Sequence, residues 1–109
     1  MATRELEVTV REESGVAVME LQGELDSRAE TALERGYAEA TNGRATSVVL
    51  DFAGAGYINS TGIALIVGLL AQARAAGVEI IARGLSEHYR EIFEITRLAD
   101  FMTIEGGNE

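Results

Sequence analysis

The sequence of 109 residues predicts a single α/β domain with a mixed sheet of four or five strands and three or four helices. Two observations support this fold class. An alternating apolar pattern near the amino terminus is followed by turn residues, which predicts a β-hairpin. Beyond the hairpin, segments of strand character alternate with segments that have apolar residues at helical spacing. Right-handed crossovers between such segments make the later strands parallel, so the sheet is expected to be mixed.

The opening hairpin is predicted from residues 5–22. Apolar and polar residues alternate over 5–11, as in a strand with one face in water. The segment "EESG" at 12–15 has turn chemistry, and the second strand is expected at 16–22.

The first helix is expected to begin after Asp26. Ser27 and Glu30 have the spacing of a capping box, and apolar residues then recur at helical spacing until Asn42-Gly43. The pattern predicts an amphipathic helix lying on the sheet.

The segment "TSVVLDF" at 46–52 is short, rich in β-branched residues and apolar on both faces. It predicts a central strand that is covered on both sides. A glycine-rich loop is expected at 54–56, and the segment "NSTGIALIVGLLAQARAAG" at 59–77 predicts the second helix, beginning near Ser60.

The rest of the chain predicts a strand at 78–82, a helix at 86–98 and a short last strand at 101–105. We expect one domain over residues 1–109, with 105–109 as a frayed tail.

The composition argues against several classes of function. Asp and Glu total 18 against 9 for Lys and Arg, and a net charge of −9 repels nucleic acids and anionic lipid surfaces. The chain has no cysteine, which excludes disulfides and thiolate metal sites. No apolar run approaches the ~20 residues of a membrane helix, and no signal segment opens the sequence. We therefore expect a cytoplasmic protein without membrane insertion.

Asn59, Ser60 and Thr61 are the candidate functional residues, because they precede an apolar helix on the carboxyl edge of a predicted parallel sheet. Capping the helix accounts for one of these side chains. A phosphate on a remaining hydroxyl would be stabilised by the helix dipole, and it would add about −1.5 to −2 charges to the surface. From the residues alone, capping and a phosphorylation switch both remain open.

The second helix is apolar on nearly every side, and its first charged residue is Arg74. Either neighbouring elements bury it on all sides, or an apolar patch stays exposed beside the hydroxyls as a docking site for a protein.

Three segments resemble the STAS domain family (sulfate transporter and anti-sigma factor antagonist), and specifically its small bacterial anti-sigma factor antagonists. They are "GELD" at 23–26, "VVLDFAGAGYINSTGIALIVGLL" at 48–70 and "LSEHYREIFEITRLADFMTI" at 85–104. The resemblance implies a partner-switching module. In such systems the unmodified antagonist binds an anti-sigma factor that is also a serine kinase, and the kinase inactivates it by phosphorylation. A PPM-type serine phosphatase reverses the modification.

The resemblance also implies roles for individual residues. Ser60 corresponds to the phospho-acceptor, Thr61 to a secondary or capping hydroxyl, and Gly62 to a position that lets a partner's backbone approach closely. Asn59 is expected to cap the helix and stands where these antagonists usually have Asp. Asp26 is expected on the same partner-binding rim, with a role as helix cap equally open.

Three alternatives compete with this interpretation. A STAS scaffold or sensory subunit that is never phosphorylated is favoured by Asn59. A nucleotide-binding module is weakly suggested by the glycines at 54–56, although the third glycine of the fingerprint is missing. An enzyme would need Ser60 and His88, the only histidine, to form a catalytic pair. We expect no enzyme activity, no metal and no cofactor.

Overall fold

The computed structural model describes residues 4–42 and 45–105. It contains five β-strands, three α-helices and two short 3-10 helices in these residues. The strands are β1 (Glu7–Glu13), β2 (Val16–Leu25), β3 (Ser47–Ile58), β4 (Glu79–Arg83) and β5 (Thr103–Ile104). The α-helices are α1 (Glu30–Thr41), α2 (Ser60–Ala76) and α3 (Glu87–Ile95), and the 3-10 helices are Ser27–Ala29 and Leu98–Asp100. In the described part of the chain, no helix is long and apolar enough to cross a bilayer.

The strands form one sheet in the order β1-β2-β3-β4-β5. β1 and β2 are antiparallel and joined by a tight turn at Ser14 and Gly15, whose φ angles are 53° and 83°. β2, β3, β4 and β5 pair in parallel. The predicted α/β class, the hairpin and the mixed sheet are confirmed.

The hydrophobic core lies between the helices and one face of the sheet. Strand residues such as Met19, Leu50 and Ile80 are buried there against α1 and α2, and Phe93 of α3 stacks edge-on with Phe52 at 5.8 Å between ring centroids. Burial of this apolar surface is the main force that holds the helices on the sheet.

The opposite face of the sheet is covered by a network of ion pairs. Arg11 bonds Glu20 and Glu13, each at 3.1 Å, and Arg83 bonds Glu13 at 2.9 Å and lies 3.4 Å from Asp51. These side chains lie on four adjacent strands. Beneath them two apolar residues are nearly inaccessible, Val18 at 0% and Val49 at 7% exposure. The central strand is covered on both sides, as its sequence predicts, and on the second face the cover consists of charged side chains with long apolar stems.

β2 and β3 are longer than the sequence predicts. β3 continues through Gly54, Ala55 and Gly56, which were expected to form a loop, and it pairs with β2 as far as Leu25 and Ile58. The register between the strands shifts twice in this region. Small residues permit the close approach, since a Cβ on Gly54 would lie 2.8 Å from the Gln22 side chain.

Several boundaries also differ from prediction. β1 begins at Glu7 rather than at residue 5, and β5 has two residues instead of five. α3 ends at Ile95 rather than at residue 98, because Arg97 adopts a left-handed conformation with φ 70°. Gly43, predicted to help end α1, and residues 106–109 of the predicted tail lie outside the described residues.

Replacing Glu13 tests the ion-pair network. Hydrogen bonds from Arg83 and Arg11 hold the pKa of Glu13 below its ordinary value. A folded-state pKa below the unfolded one contributes stability that is present above the ordinary carboxyl pKa of about 4.3 and disappears as the pH falls through the folded value. We expect Glu13→Gln to lower the free energy of unfolding near pH 7 and to have a smaller effect in acid, measured by urea denaturation.

Glu12→Gln is the matched control, because Glu12 is exposed on the same strand and forms no ion pair among the described residues. Its effect should be small at every pH. If Glu13→Gln lowers the free energy of unfolding by the same amount at every pH, the stabilising role of the ionised Glu13 in the ion-pair network is contradicted.

Candidate functional site

The candidate site lies where β2 and β3 end side by side. Leu25 pairs with Ile58, and the backbone N–H of Asn59 donates a hydrogen bond to the Leu25 carbonyl at 3.1 Å. Asp26 and Asn59 directly follow these two strands, so both begin the connections at the carboxyl edge of the sheet.

Asn59 caps α2. Its backbone is extended, and its Oδ1 accepts a hydrogen bond from the Gly62 N–H at 2.8 Å. Ser60 and Thr61 occupy the first turn, and both are exposed. Within the described residues neither hydroxyl makes a side-chain hydrogen bond. The cap is thus supplied by Asn59, and two hydroxyls at the positive end of a helix remain open to solvent.

Gly62 is buried inside the protein. A Cβ at this position would lie 2.1 Å from the Leu25 carbonyl oxygen and 3.0 Å from the Leu25 side chain. The space that glycine leaves is therefore filled by the end of β2 and is not available to a partner's backbone. The sequence-based expectation that glycine at this position lets a partner's backbone approach is therefore corrected. Glycine is needed here because α2 begins directly against β2.

Asp26 is the cap of the 3-10 helix Ser27–Ala29. Its Oδ1 accepts a hydrogen bond from the Arg28 N–H at 3.0 Å, and Oδ2 pairs with the Arg28 guanidinium at 2.8 Å. The Arg28 side chain, more than its backbone N–H, lowers the pKa of Asp26. Asp26 is therefore held in its ionised form, and its charge is compensated by Arg28.

The capping box expected from Ser27 and Glu30 is not formed. Asp26 accepts the capping hydrogen bond, and α1 begins only at Glu30 without a side-chain cap. Asp26 and Ser27 can both accept hydrogen bonds from the free N–H groups of this turn, and in the structure Asp26 is the acceptor.

Tyr89 is a site residue that the sequence analysis missed. Its hydroxyl accepts a hydrogen bond from the Ile58 N–H at 3.0 Å, one residue before the Asn59 cap. β4 ends opposite Asp51, so the last part of β3 has no strand on this side and α3 supplies the partner. An open cleft of about 150 Å³ lies beside this contact, between β3 and the start of α3. Nothing in the sequence pattern around Tyr89 indicates that its hydroxyl bonds to the backbone of β3.

The outward side of α2 is not fully covered. Val67 is 45% exposed, and Ala64, Gly68 and Ala71 on the same side are exposed as well. Of the two alternatives for this helix, the structure supports an exposed apolar patch.

His88 lies on the exposed surface of α3, where its ring packs edge-on against the ring of Tyr89 with 4.9 Å between the ring centroids. No hydrogen bond to Ser60 or to a carboxylate is formed by His88 in the described part of the chain. The described residues also contain no cluster of three or more side chains suited to hold a metal ion.

Comparison with known proteins assigns the family. Residues 8–104 match the family model described as "Mlab, STAS domain". The chain belongs to the STAS domain family. The resemblance inferred from the three sequence segments is therefore confirmed.

Individual relatives agree with this assignment. The anti-sigma-B factor antagonist of Staphylococcus aureus is 30% identical over 87 residues, which cover 80% of this STAS domain and 81% of the relative. The crystal structure of an anti-sigma factor antagonist from Mycobacterium paratuberculosis is similar with a TM-score of 0.72 and 20% identity, over 94% of this chain and 86% of that one. The Bacillus cell fate determinant SpoIIAA in its phosphorylated form is similar with a TM-score of 0.67 and 22% identity, over 92% of each chain. The two structural similarities show a shared fold.

Two glycines of α2 provide a matched test of this STAS site. Gly62→Ala places a methyl group against the Leu25 backbone, and overpacking of this kind costs about 1–3 kcal/mol. Gly68→Ala meets no atom within 4 Å, and replacing a mid-helix glycine stabilises a helix by about 0.5–1 kcal/mol. We expect opposite changes in the free energy of unfolding, measured by chemical denaturation. Equal effects of the two substitutions would contradict the contact between Gly62 and Leu25.

Proposed function

We propose that this STAS domain is an anti-sigma factor antagonist. In its unmodified form it binds an anti-sigma factor that is also a serine kinase, and phosphorylation of Ser60 ends that binding. The observation that carries the proposal is the exposed Ser60 hydroxyl on the first turn of α2, where Asn59 already supplies the cap. The name of the Staphylococcus aureus relative and the phosphorylated form of SpoIIAA support it.

A phosphate on Ser60 has opposite consequences for the fold and for a docked partner. The fold tolerates the added charge because the free N–H groups and the dipole at the start of α2 favour an anion. A protein docked on the same turn instead meets about −1.5 to −2 units of new charge. Phosphorylation thereby weakens binding without unfolding the antagonist.

Asn59 keeps the geometry that an Asp would give at this position. Its Oδ1 accepts the hydrogen bond from Gly62, and the cap needs only that oxygen. The neutral side chain removes one negative charge next to Ser60. The kinase that acts on this protein must therefore accept an uncharged residue before the acceptor.

The proposal extends to the rest of the switch. A PPM-type serine phosphatase removes the phosphate, and the domain itself acts in the cytoplasm as a binding protein and not as an enzyme. Thr61 is a secondary acceptor, and Asp26 and Asn59 belong to the partner-binding rim. Gly62 contributes to that rim indirectly by fixing the start of α2.

The phosphorylation site can be tested with the cognate serine-kinase anti-sigma factor and ATP. We expect one phosphate on the wild-type protein, assigned to Ser60 by mass spectrometry of peptides. Thr61→Ala should still be modified, and Ser60→Ala should lose most of the phosphate. Modification that is unchanged in Ser60→Ala would contradict the assignment.

Binding is tested with Ser60→Asp, which adds a negative charge at the acceptor position. We expect affinity for the anti-sigma factor to fall at least tenfold, about 1.4 kcal/mol, in isothermal titration calorimetry. Ser60→Ala and Ala38→Asp are the controls, because the first adds no charge and the second adds it on the exposed surface of α1. If Ser60→Asp and the wild type bind the anti-sigma factor with equal affinity, the proposed phosphorylation switch is contradicted.

A scaffold function is the second candidate, favoured by the uncharged Asn59 before the acceptor. It predicts stable binding of a regulatory partner with no phosphate on Ser60 or Thr61 after incubation with the kinase and ATP. The same mass-spectrometry experiment therefore separates the two functions.

A further inference from the structure

The outward face of α2 carries small residues along its whole length. Every third or fourth residue on this side is small and exposed, and Val67 lies beside them. The residues of this stripe are Thr61, Ala64, Gly68, Ala71 and Ala75. A Cβ added to Gly68 would have no atom within 4 Å, so another backbone can approach the helix closely at its middle. Small residues at this spacing permit close helix packing.

Two open grooves of opposite charge flank this stripe. The groove between α1 and α2 has a volume of about 210 Å³, and its charged lining residues are Glu30 and Glu34. The groove on the other side has a volume of about 290 Å³, and its charged lining residues are Arg74 and Arg97. Its apolar lining includes Val67 and Phe101, two of the exposed large apolar residues of the protein.

The charges that line these grooves are largely uncompensated. Glu30, Glu34 and Arg74 form no ion pair within residues 4–42 and 45–105. Arg74 lies over the ring of Phe101 at 5.3 Å, and Arg97 is paired with Asp100 at 2.7 Å. Arg74 is therefore the main open positive charge beside α2 in a chain whose net charge is −9.

We propose that this face binds a second copy of the same chain. A two-fold axis that lies along α2 brings the acidic flank of each copy opposite the basic flank of the other, with the two α2 helices nearly parallel. A two-fold axis across α2 would instead place acid on acid and arginine on arginine. Charge complementarity therefore selects the nearly parallel arrangement, in which the surface is self-complementary.

The two grooves overlap along the helix, as this arrangement requires. The acidic groove contacts α2 between Ala64 and Gln72, and the basic groove contacts it between Val67 and Arg74. The two grooves thus share the segment of α2 between Val67 and Gln72, on opposite sides of the stripe. The apolar centre supplies buried surface, and the flanking charges set the orientation.

Charge exchange between the flanks tests the proposal with the purified full chain at low salt. We expect the wild type to self-associate in sedimentation-velocity experiments at micromolar to submillimolar concentration. Glu34→Arg cancels the negative charge of the acidic flank, because Glu30 remains, and Arg74→Glu removes the open positive charge of the basic flank, so each variant should dissociate at least tenfold more readily. A mixture of the two variants should associate again, because each flank then meets its opposite. Glu39→Arg, on an exposed part of α1 outside the two grooves, is the matched control and should associate like the wild type.

Gly68→Arg provides a second variant that does not depend on the flanking charges. It fills the middle of the stripe where the structure has open space, so the fold is kept and self-association should be lost. A wild type that is monomeric over the whole concentration range would overturn the proposal. So would single-charge variants whose mixture does not associate. Either result leaves the proposed binding of an anti-sigma factor unaffected, because that proposal depends on Ser60 and not on self-association.

Discussion

The contact between the start of α2 and the end of β2 is the constraint on which the candidate site depends. The Asn59 N–H bonds the Leu25 carbonyl, and Gly62 packs its backbone against the same residue. Together they fix where the helix begins relative to the sheet. Ser60 and Thr61 lie between these two anchors at the surface, and neither hydroxyl makes a side-chain hydrogen bond to another residue that the structure describes. The start of the helix is thus anchored by its backbone, while its two hydroxyl side chains face the solvent.

The sequence predicts most of this architecture, because local patterns carry the information. Alternation in β1, turn residues at Ser14-Gly15 and the uncharged run of α2 each indicate the element that is observed. The candidate hydroxyls could also be placed at the start of a helix from the residues alone. The cap by Asn59 follows from the preference of Asn for that position.

The parts that the sequence does not predict depend on pairing between distant segments. Gly54, Ala55 and Gly56 have loop composition, and only β2 alongside them makes these residues a strand. The burial of Gly62 depends on Leu25, and the role of Tyr89 depends on β4 ending before β3. Likewise, the cover of Val49 comes from arginines and carboxylates on four strands, which no single segment reveals. Tertiary contacts of this kind override local propensity.

The Tyr89 hydroxyl gives α3 a direct connection to the turn that carries Ser60. One hydrogen bond joins that helix to the amide of Ile58, and the next residue along the chain is the cap of α2. A molecule that shifts α3 must stretch or break this bond, and the amide then loses the only acceptor that the described residues offer it on that side. The positions of α3 and of the start of α2 are therefore tied to each other through the end of β3, by one side-chain hydrogen bond and one peptide unit.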